Sequence, residues 1–353
     1  MRVKNLVALS SGLLGVCCLA LSLSAKEVIT CKSPDGKFAL RCVYAESQPY
    51  NGDTAIVDTA THKIVLPLDP NWTLDRVKLV WSPDSQRVAY FAQKGAFNPS
   101  GATRVFFRRD SSFNEIALPD LPSPKLPTNA TAGSDAGTST RIEPIRWSGS
   151  RDLLLEKEWL NRASGRAALK ITLGFDQQNQ PSIRSAEQAK VSIIDYFLLL
   201  PPENFEGPPS EWLRMARGRD FFPCDRPEHN IDEKNGYMSC SGDGAQASFE
   251  VALFRYRDRR PLLALGKGEE PELNEPGLAY LQFFEMGANG KMQPVMRWLF
   301  PFPGGCDPES GYVNGDFRFD LPRTGKTIVI RAHKSGTILH KVTWNGEKFE
   351  KQK

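Results

Sequence analysis

The chain has 353 residues with 45 Lys and Arg against 41 Asp and Glu, a net charge of only +4. The cations are scattered, which excludes the clustered basic face of a nucleic-acid binder. Seven cysteines and four histidines leave little material for a metal site, and no Cys-x-x-Cys spacing offers a zinc or thioredoxin-type centre.

The first element is a leader. Arg2 and Lys4 precede an apolar run from Leu6 to Leu23, then Ser22, Ser24 and Ala25. A basic end, an apolar middle and a small-residue exit read as a signal peptide over 1–25, cleaved after Ser24 or Ala25. Cys17 and Cys18 raise a lipoprotein as the alternative, although Leu14-Gly15-Val16 is a poor lipobox. Removal takes away Arg2 and Lys4 and leaves a charge of +2. No later segment is long and apolar enough for a bilayer span. The expected location is therefore exported, periplasmic or extracellular, with no stable membrane span after removal. The cysteines fit an oxidising compartment. Cys31, Cys42, Cys224, Cys240 and Cys306 remain. Short loops favour pairing Cys31 with Cys42 and Cys224 with Cys240, with Cys306 as an alternative partner in the second pair. Asn71-Trp72-Thr73 and Asn129-Ala130-Thr131 are sequons that matter only in a eukaryotic secretory host.

Residues 26–185 read as short strands bounded by turns: KFALRCVY, TAIVDT, DRVKLVW, RVAYFAQ, TRVFFRR, IEPIRW, DLLLEKE and AALKITLGF alternate or are rich in Val, Ile and Phe. A mobile insert rich in Pro, Ala, Ser and Thr lies near 120–140. A sentence recurs among these strands. Ser33-Pro34-Asp35-Gly36 precedes KFALRCVY. Trp81-Ser82-Pro83-Asp84-Ser85 precedes QRVAYFAQ, and Trp147-Ser148-Gly149-Ser150 precedes the strand DLLLEKE. Pro presets φ, Asp bonds the backbone ahead of it and Gly accepts positive φ, so each copy is a turn with a mechanism. Without the insert the period is about 50 residues, the size of a propeller blade.

Trp81, Ser82, Pro83, Asp84, Val88, Ala89 and Tyr90 resemble the blade signature of TolB-type, WD-repeat-like β-propellers. That resemblance implies a Trp ending an inner strand, a Ser-Pro-Asp turn and a following strand. It implies no activity. The first copy has Lys32 in place of Trp and the third has Gly149-Ser150 in place of Pro-Asp. Three copies also fall short of the four to eight blades of a closed ring.

Residues 186–353 are expected to form an α+β domain. Ala189, Ile193, Phe197 and Leu200 sit near helical spacing before Pro201-Pro202, and EWLRMARG forms a second helix ending at Gly218. Strands follow from about 219, with turns at Asn235-Gly236, Asn289-Gly290 and Asn345-Gly346. Their order is similar to C-terminal domains of uncharacterised exported bacterial proteins. The fold class is thus mainly β: a blade-like antiparallel array followed by a smaller α+β domain.

Chemistry is sparse. Ser239 and Ser241 lack the leading Gly of a nucleophile elbow. His333 and His340 flank a turn and face each other only if the register allows it. Asp225, Glu228, Asp232 and Asn235 do not match an EF-hand loop. Trp72, Trp159 and Trp212 are the candidates for a sugar platform. No glycine-rich phosphate loop appears, so no cofactor is expected. No catalytic or binding residue is singled out, and no metal ligand set. The expectation is a non-catalytic binding protein of the bacterial envelope, its partner a protein or a glycan. The alternative is a glycan or peptide hydrolase with two carboxylates in the cleft between the domains.

Overall fold

A computed structural model of the chain describes residues 25–45, 48–73, 76–94, 100–125, 138–161, 165–205, 207–217, 231–240, 248–268, 279–295, 299–301, 312–314 and 317–352. The leader and most of the insert lie outside them. The molecule is mainly β, built of several antiparallel sheets with few helices. β1 (Ala25–Thr30), β2 (Phe38–Ala45), β3 (Gln48–Asp58) and β4 (Ile64–Thr73) form a four-stranded meander. β5 (Arg76–Trp81), β6 (Arg87–Lys94), β7 (Ser100–Arg109) and β8 (Ser112–Ile116) form a second. β9 (Thr138–Ser148), β10 (Asp152–Asn161), β11 (Gly165–Phe175) and β12 (Pro181–Gln188) form a third. The last two merge through a single parallel pairing, Gly101 with Arg141.

Two helices follow, α1 (Ile193–Phe197) and α2 (Pro209–Ala216). Ser192 caps α1 in a capping box with Asp195, which satisfies the first backbone donors of the helix. A second group of sheets comes next. β13 (Ile231–Asp232), β14 (Tyr237–Cys240), β15 (Ser248–Arg255), β16 (Pro261–Gly268), β17 (Ala279–Met286), β18 (Met292–Pro294) and β19 (Tyr312–Asn314) share one sheet. β20 (Phe317–Asp320), β21 (Thr327–Ala332), β22 (Ile338–Trp344) and β23 (Phe349–Lys351) form a last four-stranded meander.

The recurring turns have the same internal wiring. Ser33 Oγ donates to Asp35 Oδ1 at 2.6 Å, as Ser82 Oγ does to Asp84 Oδ1 at 2.6 Å. Phe38 N–H donates to Ser33 Oγ and Arg87 N–H to Ser82 Oγ. Each Asp then takes the N–H two residues on, from Lys37 and from Gln86. Gly36 at φ 71° and Ser85 at φ 59° occupy the same left-handed position. Glycine relaxes that strain. Serine is held there because its hydroxyl accepts the Asp35 N–H of the preceding blade at 3.0 Å. In the third copy Gly149, at φ 68°, makes a tighter turn without the Pro-Asp pair.

The tryptophans explain the repeat. Trp81 Nε1 donates to Cys31 O at 2.8 Å, and Cys31 stands two residues before Ser33. Trp147 Nε1 donates to Val80 O at 3.0 Å, and Val80 stands two residues before Ser82. Each indole therefore latches its own blade to the same carbonyl of the preceding blade. Among the described residues no blade precedes the first, and there Lys32 stands in the Trp position. The faces between blades are apolar. Phe38, Leu40, Ile56, Val77, Val88, Tyr90 and Phe106 fill the first seam; Ala89, Val105, Trp147, Leu153, Ile171 and Phe175 fill the second. A third seam packs α1 and α2 on β14–β17, and a fourth packs that sheet on the last meander. Trp344 Nε1 repeats the latch there, donating to Arg255 O at 2.8 Å.

One expectation changes. Cys42 carries a free thiol, so the Cys31–Cys42 disulfide is not formed. The ladder pairs Val28 with Cys42, which leaves Cys31 three rows away. At about 3.3 Å per row that is about 10 Å, beyond the roughly 7 Å that a disulfide spans. Cys42 instead packs in the first seam, where burial pushes its thiol up to about 12. The other expected pair involves Cys224, which with Cys306 lies outside the described residues.

Replacing Trp81, Trp147 or Trp344 by Phe keeps the ring packing and deletes one buried donor. Each variant is expected to lose about 1–3 kcal/mol, read from the midpoint of denaturant unfolding. Lys32→Trp, with no carbonyl to meet, should gain nothing.

Candidate active site

Where the third blade meets the helices, charged residues occupy positions that a sheet normally fills with apolar ones. Arg141 and Glu143 alternate on β9 and point to one face, as do Glu156 and Glu158 on the neighbouring β10. The register sets Glu158 opposite Arg141 and Glu156 opposite Glu143. Two like charges directly across a ladder repel, and cations from elsewhere offset the repulsion. Lys78 Nζ on β5 reaches Glu143 Oε1 at 3.1 Å, and Arg141 Nη2 lies 3.4 Å from Glu143 Oε2.

Glu158 is the centre. Its side chain is 2% exposed. Arg166 Nε, at the start of β11, donates to its Oε2 at 2.5 Å. Arg217, one residue past α2, donates through Nη1 to Oε1 at 2.9 Å and through Nη2 to Oε2 at 2.6 Å. Arg141 Nε stands 3.5 Å from Oε1. Both oxygens are thus engaged by guanidinium groups. Arg217 also sits at the C-terminal end of its helix, where a cation is favoured. Arg166 extends the network, reaching Glu156 Oε1 at 2.6 Å and Asp195 Oδ2 at 3.5 Å. One carboxylate therefore ties β9, β10 and β11 to α2, and through Arg166 to α1.

The two acids on this face ionise differently. Burial alone would push Glu158 up, but Arg217, Arg141 and Arg166 override it and hold the carboxyl well below the usual glutamate range. Burial dominates at Glu156, and Glu158 adds repulsion, so that carboxyl is raised despite Arg166. Burial would lower Arg166, yet Glu158, Glu156 and Asp195 raise it above the ordinary arginine value. Chemically, the cluster offers one acid fixed as an anion and a second, two residues away, biased toward its neutral form.

The side chains singled out from the sequence do not converge on this place. Ser33, Pro34, Asp35, Gly36, Trp81, Ser82, Pro83 and Asp84 stay in their turns. Asp35 accepts Arg108 Nη1 at 2.7 Å. Burial would raise its carboxyl, but Ser33, Arg108 and the Lys37 N–H bring it down to about 2. His333 and His340 are not cross-strand partners, because the ladder pairs His340 with Ile330 and leaves His333 in the turn. Asp232 closes a turn by accepting Asn235 N–H and Nδ2–H; Asp225, Glu228 and Ser241 lie outside the described residues. Of the three tryptophans proposed for a platform, one is placed in the core. Trp212 is buried against Phe205 and Phe249, while Trp72 and Trp159 stand on β4 and β10 of different sheets. Among the described residues no three His, Cys, Asp or Glu side chains gather to hold a metal ion, and no helix is long and apolar enough to cross a membrane. The cluster itself went unmarked in the sequence. Its signal is the charged alternation R-x-E at 141–143 beside E-x-E at 156–158.

No protein-family model matches the chain, and no curated protein matches it. Among solved structures, a GH93 α-L-arabinofuranosidase of Fusarium graminearum in complex with arabinobiose aligns over 92% of this chain and 82% of its own, at 11% identity and a TM-score of 0.27. Prolyl oligopeptidase B from Galerina marginata aligns over 90% of this chain and 47% of its own, at 12% identity and a TM-score of 0.28. Likeness at these scores carries no inference about activity.

Glu158→Gln removes the buried anion that Arg141, Arg166 and Arg217 share and should cost about 3–5 kcal/mol. Glu156→Gln keeps an acceptor for Arg166 and removes a disfavoured charge, so it should stay within about 1 kcal/mol of wild type at neutral pH. The pH dependences have opposite signs. Glu158 is depressed on folding, so its contribution is present above the ordinary value of 4.5 and is lost as pH falls below it. Glu156 is raised on folding, so it costs stability above 4.5 and that cost is relieved in acid. Thermal melts of both variants between pH 3 and 8 check the signs.

Proposed function

We propose that the chain is a non-catalytic binding protein of the bacterial envelope, exported by its leader and carrying a protein or glycan partner on its blade scaffold. The burial of Glu158 among arginines carries this reading. A carboxylate that is 2% exposed, and whose two oxygens receive guanidinium donors from Arg166 and Arg217 with Arg141 close by, is buried away from a substrate. Its work is to join the blades to α2. The blade scaffold supports the same reading, since latched modules with short turns present loops on a rigid frame, which suits recognition.

A second reading has one observation in its favour. Glu156 and Glu158 are two carboxyls on one strand face whose ionisation is pushed apart, and such a split is how a general acid and its anionic partner are made in hydrolases. On that reading Glu156 protonates a leaving group and Glu158 stays ionised.

One experiment separates the two. The mature chain is incubated with isolated envelope fractions, with soluble glycans and with peptides, and both retention and bond cleavage are measured. Saturable retention on an envelope fraction, with product formation no faster than in buffer, is the expected result. Hydrolysis of any substrate that drops about a hundredfold or more in Glu156→Gln, in protein that melts like wild type, would overturn the binding reading and establish the second.

A further inference from the structure

The seam between the helices and β14–β17 reaches solvent at a pair of methionines. β17 and β18 form a hairpin whose last ladder pair is Met286 with Met292. Directly opposite residues of an antiparallel pair lie on one face, with Cβ atoms about 4.5–5.5 Å apart. Phe284, two residues before Met286, shares that face. Phe284 is fully buried in the third seam and Met292 is 1% exposed there. Met286 stands at the rim of the same face and is 36% exposed. One thioether of the pair is therefore in water and the other is in the core.

The two sulfurs have different consequences if oxidised. A sulfoxide turns a flexible apolar side chain into a polar one. On Met286 the new oxygen would be hydrated. On Met292 it would be buried in an apolar seam, which is costly without a hydrogen-bond partner. Met292 also holds the helices in place, since its N–H donates to Leu199 O, two residues past α1, at 3.0 Å. Of the other methionines, Met238 is buried in the same seam, and the side chains of Met1, Met215 and Met296 lie outside the described ones. The free thiols of Cys42 and Cys240 are buried too.

We propose that Met286 is an oxidation site for peroxides and that its side chain shields the Met292 thioether from them. The Met286 sulfur attacks one oxygen of hydrogen peroxide. The S–O bond forms, the O–O bond breaks, sulfur gives up two electrons, and the second oxygen leaves as water. This goes beyond the binding reading and does not rest on it, because no residue of the Glu158 network takes part.

Peroxide treatment of the folded mature chain, followed by peptide mass mapping, tests it. Met286 should gain one oxygen at least about tenfold faster than Met292 or Met238, in line with their exposures. Chain oxidised at Met286 alone should melt like untreated chain. Two variants separate shielding from mere consumption of peroxide. Met286→Leu keeps the volume and should leave Met292 slow, whereas Met286→Ala uncovers Met292 and should speed its oxidation several-fold. Met238 is the internal reference for unfolding, and its rate should stay unchanged in both variants. Oxidation of Met292 or Met238 as fast as Met286 would overturn the proposal. So would an unchanged Met292 rate in Met286→Ala, an equal rise in Met286→Leu, or a rise at Met238 that matches the rise at Met292.

Discussion

The indole-to-carbonyl latch sets how the N-terminal blades stack. A blade is a small meander with two apolar faces, and it is stable only when both are covered. Hydrophobic burial supplies most of that stabilisation but has no direction. The hydrogen bond from Trp81 to Cys31 O, and its copy from Trp147 to Val80 O, add the missing direction. Each bond fixes the height of one blade against the last, and the Ser85 hydroxyl on the Asp35 N–H fixes it at a second point. What recurs within the chain is therefore the pairing of an indole with the carbonyl two residues before the preceding copy's turn serine.

The joint to the helices is made differently. No indole reaches across it, and its apolar seam is supplemented by a buried charge network. Three arginines around Glu158 satisfy each other's need for an anion, while Glu143, Glu156 and Asp195 absorb the remaining positive charge. Such networks contribute little net stability compared with an apolar core of the same shape, but removing one member leaves the others buried and unpaired. The consequence is geometric selectivity: α2 docks where Arg217 meets Glu158 with both terminal nitrogens. The same satisfaction ties the acid to a structural task.

The first 24 residues, the insert and the Cys224 loop lie outside the described residues, so the exported location stands as part of the proposed function. The described parts of the chain hold together in sequence order, each unit packed on the one before it: first blade on second, second on third, third on helices, helices on the long sheet, long sheet on the last meander.

Much of the architecture was legible in the residues. Period-2 alternation marks strands because side chains of a strand alternate faces, and Ser-Pro-Asp-Gly marks turns because its dihedrals and local hydrogen bonds are encoded within four residues. The α2 segment was legible too, as EWLRMARG running into Gly218. What lay hidden depends on register and on distance. Cys31 and Cys42 are close in sequence yet three rows apart on the ladder, and His333 and His340 straddle a turn whose pairing sends them past each other. The Glu158 cluster draws on Lys78, Arg141, Arg166, Asp195 and Arg217, which span some 140 positions of chain, and no local pattern relates them. Local rules decide elements because backbone preferences are short-ranged; only the tertiary structure decides which charges meet, because that meeting is fixed by how the sheets stack.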